Sequence, residues 1–318
     1  MTTDRHDDAR GADPLPSWND GVTKRAITDF VKNTTTEGNP DYVRVPDRIA
    51  LFDNDGTLWV EQPMYTQLAF LLDDVRKLAP QHPEWNTTEP FRFVLENDLA
   101  GLAAAGVPGL MKLLAATQCG MTTEEFAKTV QAWIETARHP KFERLYTQCV
   151  YQPMLELIEY LSANDFEVYI VTGGGTEFVR PWAERVYGVP MRRVVGSSLK
   201  TKFEMLAHRP VLIRTAEINL VDDGNGKPVG IHEFIGQQPI AACGNSDGDL
   251  EMLQWTASGS GARLILLVHH TDSEREYAYD AHSAFGRLSK ALDEAKAKGW
   301  EIADMKRDWN TIFPPVSQ

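Results

Sequence analysis

The amino-acid sequence predicts an α/β protein built on a mostly parallel sheet, with a helical block inserted after the first strand. Three observations predict it. Short apolar runs ending in polar residues recur at 48–52, 166–171, 239–243 and 264–268; helical segments separate them; and residues 66–148 show helical patterning alone. Runs this short and this uniformly apolar suit strands buried on both faces, and their alternation with helices is that of βαβ units.

Residues 1–16 carry Asp, Arg, Gly and Pro without periodicity and are expected to form a disordered tail. An N-terminal helical extension follows over 17–45. In it Asn19 or Asp20 can cap a helix that places Val22, Ala26, Ile27, Phe30 and Val31 on one face, before Gly38-Asn39-Pro40 stops it. A core made of 46–65 and 149–318 begins with the strand at 48–52, which ends at Asp53. Within the helical block 66–148, apolar stretches at 67–72, 91–104 and 108–116 precede a capping box of Thr122 and Glu125. That box opens a helix with Phe126, Val130, Trp133, Ile134 and Ala137 along one stripe. Pro153 suits the first turn of a helix that turns Met154, Leu157, Ile158 and Leu161 inward. Strands at 166–171, 194–195, 239–243 and 264–268 follow. Residues 202–223 predict an inserted β-hairpin with strands at 211–213 and 218–221, and a last helix is predicted over 283–298, stopped by Gly299.

Of the 318 residues 42% are hydrophobic and 24% charged, which allows a sizeable core and excludes a low-complexity or fibrous chain. Lys plus Arg number 32 against 45 Asp plus Glu, a net charge of −13, and no basic run stands out, so nucleic acid is not an expected partner. An anionic substrate must be held by local cations. Cys119, Cys149 and Cys243 are far apart and odd in number, which excludes a disulfide framework and a zinc knuckle and suits a reducing, cytoplasmic compartment. No stretch approaches 18 uninterrupted apolar residues and residues 1–16 hold no apolar leader core, so neither membrane insertion nor export is expected. Nothing in the sequence specifies an oligomeric state.

In open parallel sheets ligands gather beyond the C-terminal ends of the strands. Those ends are polar here: Asp53-Asn54-Asp55-Gly56-Thr57, Thr172-Gly173-Gly174-Gly175 and Gly244-Asn245-Ser246-Asp247-Gly248-Asp249, with Lys227 opening a helix before the last. Gly56 permits a turn that brings Asp53 and Asp55 to one cavity, where one carboxylate can attack and the other manage a proton. Acids from two loops repel unless a hard divalent cation sits among them, and oxygen ligands suit Mg²⁺. Thr172 and the glycine amides behind it can hold an anion, and Lys227 is a compact cation for the same anion or for the nucleophile. Together they specify phosphoryl transfer through an aspartyl-phosphate. Arg92 and Arg138 are further candidate anion binders, whereas His269 and His270 are expected to be structural.

These four segments, in this order on a βαβ pattern, resemble the haloacid dehalogenase superfamily of phosphotransferases, most closely its phosphoserine-phosphatase-like branch, over roughly residues 46–270. Asp53 to Leu58 is similar to the first motif, Thr172 to the second, Lys227 to the third and Gly244 to Leu250 to the fourth. The resemblance implies a Rossmann-like three-layer core with an α-helical cap inserted between the first two motifs, where the block 66–148 falls. It implies Asp53 as nucleophile, Asp55 as general acid and base, Thr172 as hydrogen-bond donor to the phosphoryl group and Lys227 as charge neutraliser. It further implies Gly56, Thr57, Glu61, Gly173 and Gly174 around the substrate, and an Mg²⁺ ion held from among Asp53, Asp55, Asn245, Asp247 and Asp249. Gln62 and Tyr65 share the segment of Glu61 leading into the cap. The fourth motif departs from the family at Asn245, where an aspartate is usual: an amide oxygen ligates Mg²⁺ without charge, so affinity drops unless Asp247 compensates. The activity implied is Mg²⁺-dependent hydrolysis of a small phosphorylated metabolite. The alternatives are a phosphotransferase or phosphomutase on the same aspartate, or a non-catalytic phospho-ligand-binding protein. A dehalogenase has no need of Asp55, and phosphonate hydrolysis usually replaces it.

Overall fold

The apolar runs form the centre of a seven-stranded sheet in the computed structural model, which describes residues 13–315. The strands are β1 (Ile49–Phe52), β2 (Glu167–Gly175), β3 (Val194–Leu206), β4 (Arg209–Leu220), β5 (Ala241–Gly244), β6 (Leu264–His269) and β7 (Glu301–Asp304), ordered β4-β3-β2-β1-β5-β6-β7. All neighbours pair in parallel except β3 with β4. Because β1 pairs with β2 on one side and β5 on the other, the chain reverses its direction of travel across the sheet at β1. The crevice beyond its C-terminal end is the topological switch point, where ligands bind in such sheets.

In chain order the helices are α1 (Val22–Thr35), α2 (Thr66–Leu78), α3 (Phe91–Leu95), α4 (Leu99–Gln118), α5 (Thr123–Ile134), α6 (Gln152–Ala163), α7 (Thr176–Tyr187), α8 (Gly226–Phe234), α9 (Leu250–Ala257), α10 (Lys290–Lys298) and α11 (Met305–Asp308). Side chains alternate across the sheet with period two. Ala50 and Phe52 of β1 join the core beneath α1, α6 and α7, while Ile49 and Leu51 join the one beneath α8, α9 and α10. This is a three-layer, Rossmann-like α/β arrangement.

Between β1 and β2 lie α2 to α6. The first three carry their own core, in which Leu71, Leu72 and Val75 meet Trp85, Phe91, Val94 and Leu113. The Thr122–Glu125 capping box opens α5 as the sequence predicts, and Phe126, Val130 and Ile134 pack into the main core. The apolar stretch at 108–116 forms the second half of α4, which breaks at Gly106 (φ 56°, ψ −155°) just before Pro108. Pro108 cannot extend the helix backwards through an amide it lacks, and Gly106 takes a conformation closed to other residues. Among the described residues α4 alone has the length and apolar composition to cross a membrane.

Four expectations are corrected. The predicted tail 1–16 lies outside the described residues up to 12, but from 13 it is packed: Leu15 is fully buried and Asp13 accepts a 2.6 Å hydrogen bond from Lys24 Nζ. Helix α1 is capped by the backbone of Gly21 and not by an Asn19 or Asp20 side chain. The hairpin strands predicted at 211–213 and 218–221 fall, save Val221, on the single strand β4, whose partner is the outer part of β3. The turn between them is Ala207-His208, both left-handed (φ 47° and 66°), so it carries no Gly or Asn signal. The last helix starts at Lys290 rather than 283, because the loop before it folds over the sheet end and its first amides are received by a distant carboxylate described below.

The hairpin also ties the sheet to the helices beyond it. Arg214 of β4 exchanges backbone bonds with Gly120 (2.9 Å) and Met121 (3.0 Å) and donates from Nε to the Gln118 carbonyl (2.9 Å). Its guanidinium lies 3.7 Å from the Phe126 ring centroid and pairs with Glu177 of α7.

Candidate active site

Asp53 follows β1 directly. Since residues i and i+2 of an extended chain share a face, Asp53 and Asp55 both line the large cavity at the sheet end, while Asn54 turns away and accepts from the Tyr187 hydroxyl at 2.9 Å. Gly56 (φ 80°) then reverses the chain. A Cβ there would sit 2.1 Å from Asn245 Nδ2 and 2.3 Å from Glu61 Oε1, so no other residue fits this turn. His270 Nε2, 2.7 Å from the Gly56 carbonyl, braces the turn from behind, with Nδ1 3.3 Å from the fully buried Glu276. His270 is structural, as expected.

Lys227, near the start of α8, reaches from the other side of the strand ends and is 1% exposed. Its Nζ donates to Asp53 Oδ1 (2.6 Å), Asp249 Oδ1 (2.6 Å) and the Val171 carbonyl (2.8 Å), so its three hydrogens are all used. Burial, then the charge of Asp249, push Asp53 well above the ordinary carboxylate range, with Lys227 pulling the other way. Against the burial that lowers it, Asp249 and Asp53 hold Lys227 above the usual lysine range. Burial raises Asp55 to about 6, although Trp59 Nε1 donates to its Oδ1 at 3.0 Å and so favours the ionised form.

Thr172 lies within β2, opposite Gly196 at the last pair before the register with β3 shifts; it is fully buried, beside but not part of the cavity wall. Its Oγ1 accepts from Gly174 N at 3.0 Å, which leaves the hydroxyl hydrogen to donate elsewhere. Gly173 and Gly174 line the cavity, but the amides of Gly174 and Gly175 already have acceptors, the latter in Gln67 Oε1 at 2.6 Å.

The other sequence candidates divide. Glu61 lines the cavity yet is held from behind, accepting from Asn245 Nδ2 (2.6 Å) and the Tyr279 hydroxyl (2.8 Å); burial raises it well above the ordinary range. Thr57 is buried and donates to Asn245 Oδ1 at 3.1 Å, so Gly56 and Thr57 position Asn245 and do not line the cavity. Asp249 lines it, but Lys227 takes one oxygen and the amides of Asn245 and Ser246 take the other, both at 2.9 Å. Asp247 is not brought to the site: its Oδ1 accepts from Ser289 N (2.9 Å) and Ala291 N (3.0 Å) and caps α10, which is why that helix begins where it does. Arg92 is engaged by Glu89 and Glu96 on an exposed face, and Arg138 donates to the Glu143 carbonyl at 2.7 Å. Trp59, Gln67 and Tyr279 were not singled out by sequence; only the four-residue offset of Trp59 from Asp55 offered a local signal.

Among the described residues no three His, Cys, Asp or Glu side chains are arranged to hold a metal ion. The chemistry of the donor set fits Mg²⁺ nonetheless. Asp53, Asp55 and Asp249 act on Lys227, and Glu61 stands within the field of Asp53 and Asp55, an excess of negative charge; the Asn245 Oδ1, which takes the Thr57 hydroxyl through one lone pair, is a neutral oxygen beside them.

Asp222, just before α8, is fully buried and neither carboxylate oxygen has a hydrogen-bond partner among the described residues; burial raises it to about 7. Its pKa is thus higher folded than unfolded, so its contribution to stability is complete below about pH 4 and is lost as pH rises through about 7. Asp222→Asn removes this loss. In urea titrations its stability relative to the parent protein is expected to rise by about 2–4 kcal/mol between pH 4 and pH 8; a difference that stays flat with pH would show that Asp222 ionises freely.

The family model for haloacid dehalogenase-like hydrolases matches residues 50–254. Among solved structures, a conserved protein of unknown function from Anaerococcus prevotii is 14% identical, with 88% of this chain and 90% of that chain covered and a TM-score of 0.56. A protein of unknown function from Bordetella pertussis is 18% identical over 81% and 98% of the two chains, with a TM-score of 0.48. A phosphoserine phosphohydrolase-like protein from Francisella tularensis is 13% identical over 79% and 99%, with a TM-score of 0.40. No curated protein matches the chain.

Proposed function

For a chain that belongs to the haloacid dehalogenase-like hydrolases, we propose the hydrolysis of phosphomonoesters through a phosphorylated Asp53, with Mg²⁺ as cofactor and residues 66–148 as a cap over the site. The observation that carries it is the grip of Lys227 on Asp53 Oδ1, at 2.6 Å, in a cavity that Asp55 also lines. An Asp53 oxygen bonds to phosphorus as the ester P–O bond breaks, and the departing alcohol takes the proton of Asp55. Asp55 then receives a proton from the water that attacks phosphorus, and Asp53 is released with its carboxylate restored. With its pKa raised to about 6 by burial, Asp55 is suited to both duties near neutral pH. Thr172 donates its free hydroxyl hydrogen to a phosphoryl oxygen, and Lys227 offsets the negative charge of the nucleophile and the phosphoryl group.

Asp53, the Asp55 carbonyl and Asn245 would hold the Mg²⁺, which supplies charge stabilisation at the phosphoryl group. The partner is then a phosphorylated small molecule, and three free cysteines agree with a cytoplasmic setting. The test is release of inorganic phosphate from an aryl phosphate with and without Mg²⁺. Transfer to a second alcohol instead of water would make the protein a phosphotransferase, and binding without turnover would make it a ligand-binding protein.

Asn245 contributes no charge, so Asn245→Asp is expected to raise Mg²⁺ affinity about tenfold in calorimetric titration. Unchanged affinity would remove Asn245 from the metal's coordination.

A further inference from the structure

From the walls of the cavity we infer that the phosphomonoester carries a large apolar organic group, an inference that rests on the phosphatase reading for its phosphate but not for its apolar part. The cavity holds about 580 Å³, enough to enclose a phosphate and a sizeable organic molecule. Away from Asp53 and Lys227 the larger part of its wall is apolar, with Leu68 and Leu71 of α2, Leu110, Met111 and Leu114 of α4, and Phe178 of α7, beside the polar Gln118, Glu177, Ser197, Ser198 and Asp223.

Helix α4 is the informative element. Leu113 faces the core that α4 shares with α2 and α3; Leu110 and Met111 turn toward the cavity, and Leu114, one turn on from Leu110, packs on that core and lines the cavity as well. An apolar stripe on a helix that meets a cavity rather than another element is complementary to an apolar occupant. The charges agree. The cations on the cavity wall are Lys227, committed to Asp53 and Asp249, and Arg214, committed to Glu177 and stacked on Phe126. A second anionic group on the substrate, such as a carboxylate or another phosphate, meets no unengaged cation there among the described residues. A hydroxyl or ammonium group against the leucines would lose its hydration without a partner. The class favoured is the phosphate ester of a long alkyl, isoprenoid or aryl-alkyl alcohol.

Calorimetric titration of the Mg²⁺-loaded protein with non-hydrolysable n-alkylphosphonates, from methyl to octyl and below their micellar concentrations, reads the apolar part without turnover. Affinity is expected to rise about fourfold per added methylene, the transfer free energy of one buried CH₂. Leu110→Gln combined with Leu114→Gln is expected to weaken octylphosphonate at least tenfold more than methylphosphonate. Phosphate release from octyl phosphate, phosphoserine and glycerol phosphate is measured in parallel, with kcat/KM highest for octyl phosphate. A flat phosphonate series overturns the apolar assignment, whether or not phosphate is released. A steep series without turnover of any ester supports that assignment and overturns hydrolysis instead.

Discussion

Asp53→Asn is expected to lower phosphate release by about 10⁴- to 10⁶-fold, the loss seen when a covalent nucleophile is removed and only binding and charge stabilisation remain. The substitution keeps the shape of the side chain but replaces an attacking carboxylate with an amide whose oxygen is a poor nucleophile. The fold should survive it. Asp53 is pushed well above the ordinary range by burial and by the charge of Asp249, so its ionised form is held at a cost, and Lys227 keeps Asp249 and the Val171 carbonyl as partners after the change. Urea unfolding close to that of the parent protein, together with lost turnover, would place the effect in the chemistry. Undiminished phosphate release from an intact Asp53→Asn protein would mean that another group attacks phosphorus.

The position of Asp53 is legible in the sequence itself. Asp53, Thr172 and Asn245 each follow an apolar run, and a run of that kind in an α/β chain leads to the face where ligands collect, so the ends of β1 and β5 could be read from local pattern alone, while β2 runs on past its apolar run to Gly175. The outer sheet was not legible in the same way. From Ser197 to Leu206 strand β3 lies mostly on an exposed surface and keeps no clean alternation, with Lys200-Thr201-Lys202 in the middle, and its turn uses Ala207-His208 where Gly or Asn would have announced it. Nor could sequence separate the acids of the fourth motif. Asp247 and Asp249 are two residues apart and chemically alike, but one meets the start of α10, 42 residues on, and the other meets Lys227, 22 residues back. Glu61 and Tyr279 meet across 218 residues, a tertiary contact with no local trace. Roles of this kind belong to packing, and only the folded chain assigns them.

Lys227→Met is expected to cost about 3–5 kcal/mol of stability near pH 8, the size of effect that follows when one partner of a buried ion pair is removed. Methionine fills most of the volume, so the loss comes from charge. Asp53 Oδ1 and Asp249 Oδ1 each lose a donor at 2.6 Å, and the Val171 carbonyl loses one at 2.8 Å, all of them buried. Two carboxylates then face each other with no cation between them. The pH dependence gives the cause away. Asp53 is already raised above its unfolded value, and losing Lys227, which pulls it down, raises it further. The folded variant therefore binds more protons than the unfolded chain as pH falls, so the deficit is largest above neutrality and shrinks toward pH 4 as Asp53 takes up its proton in the fold. Denaturant titrations at pH 4.5, 6 and 8 measure it directly. A deficit equal at all three would mean that the lysine stabilises the sheet end through the packing of its aliphatic stem, and the charge-neutralising role would fall with it.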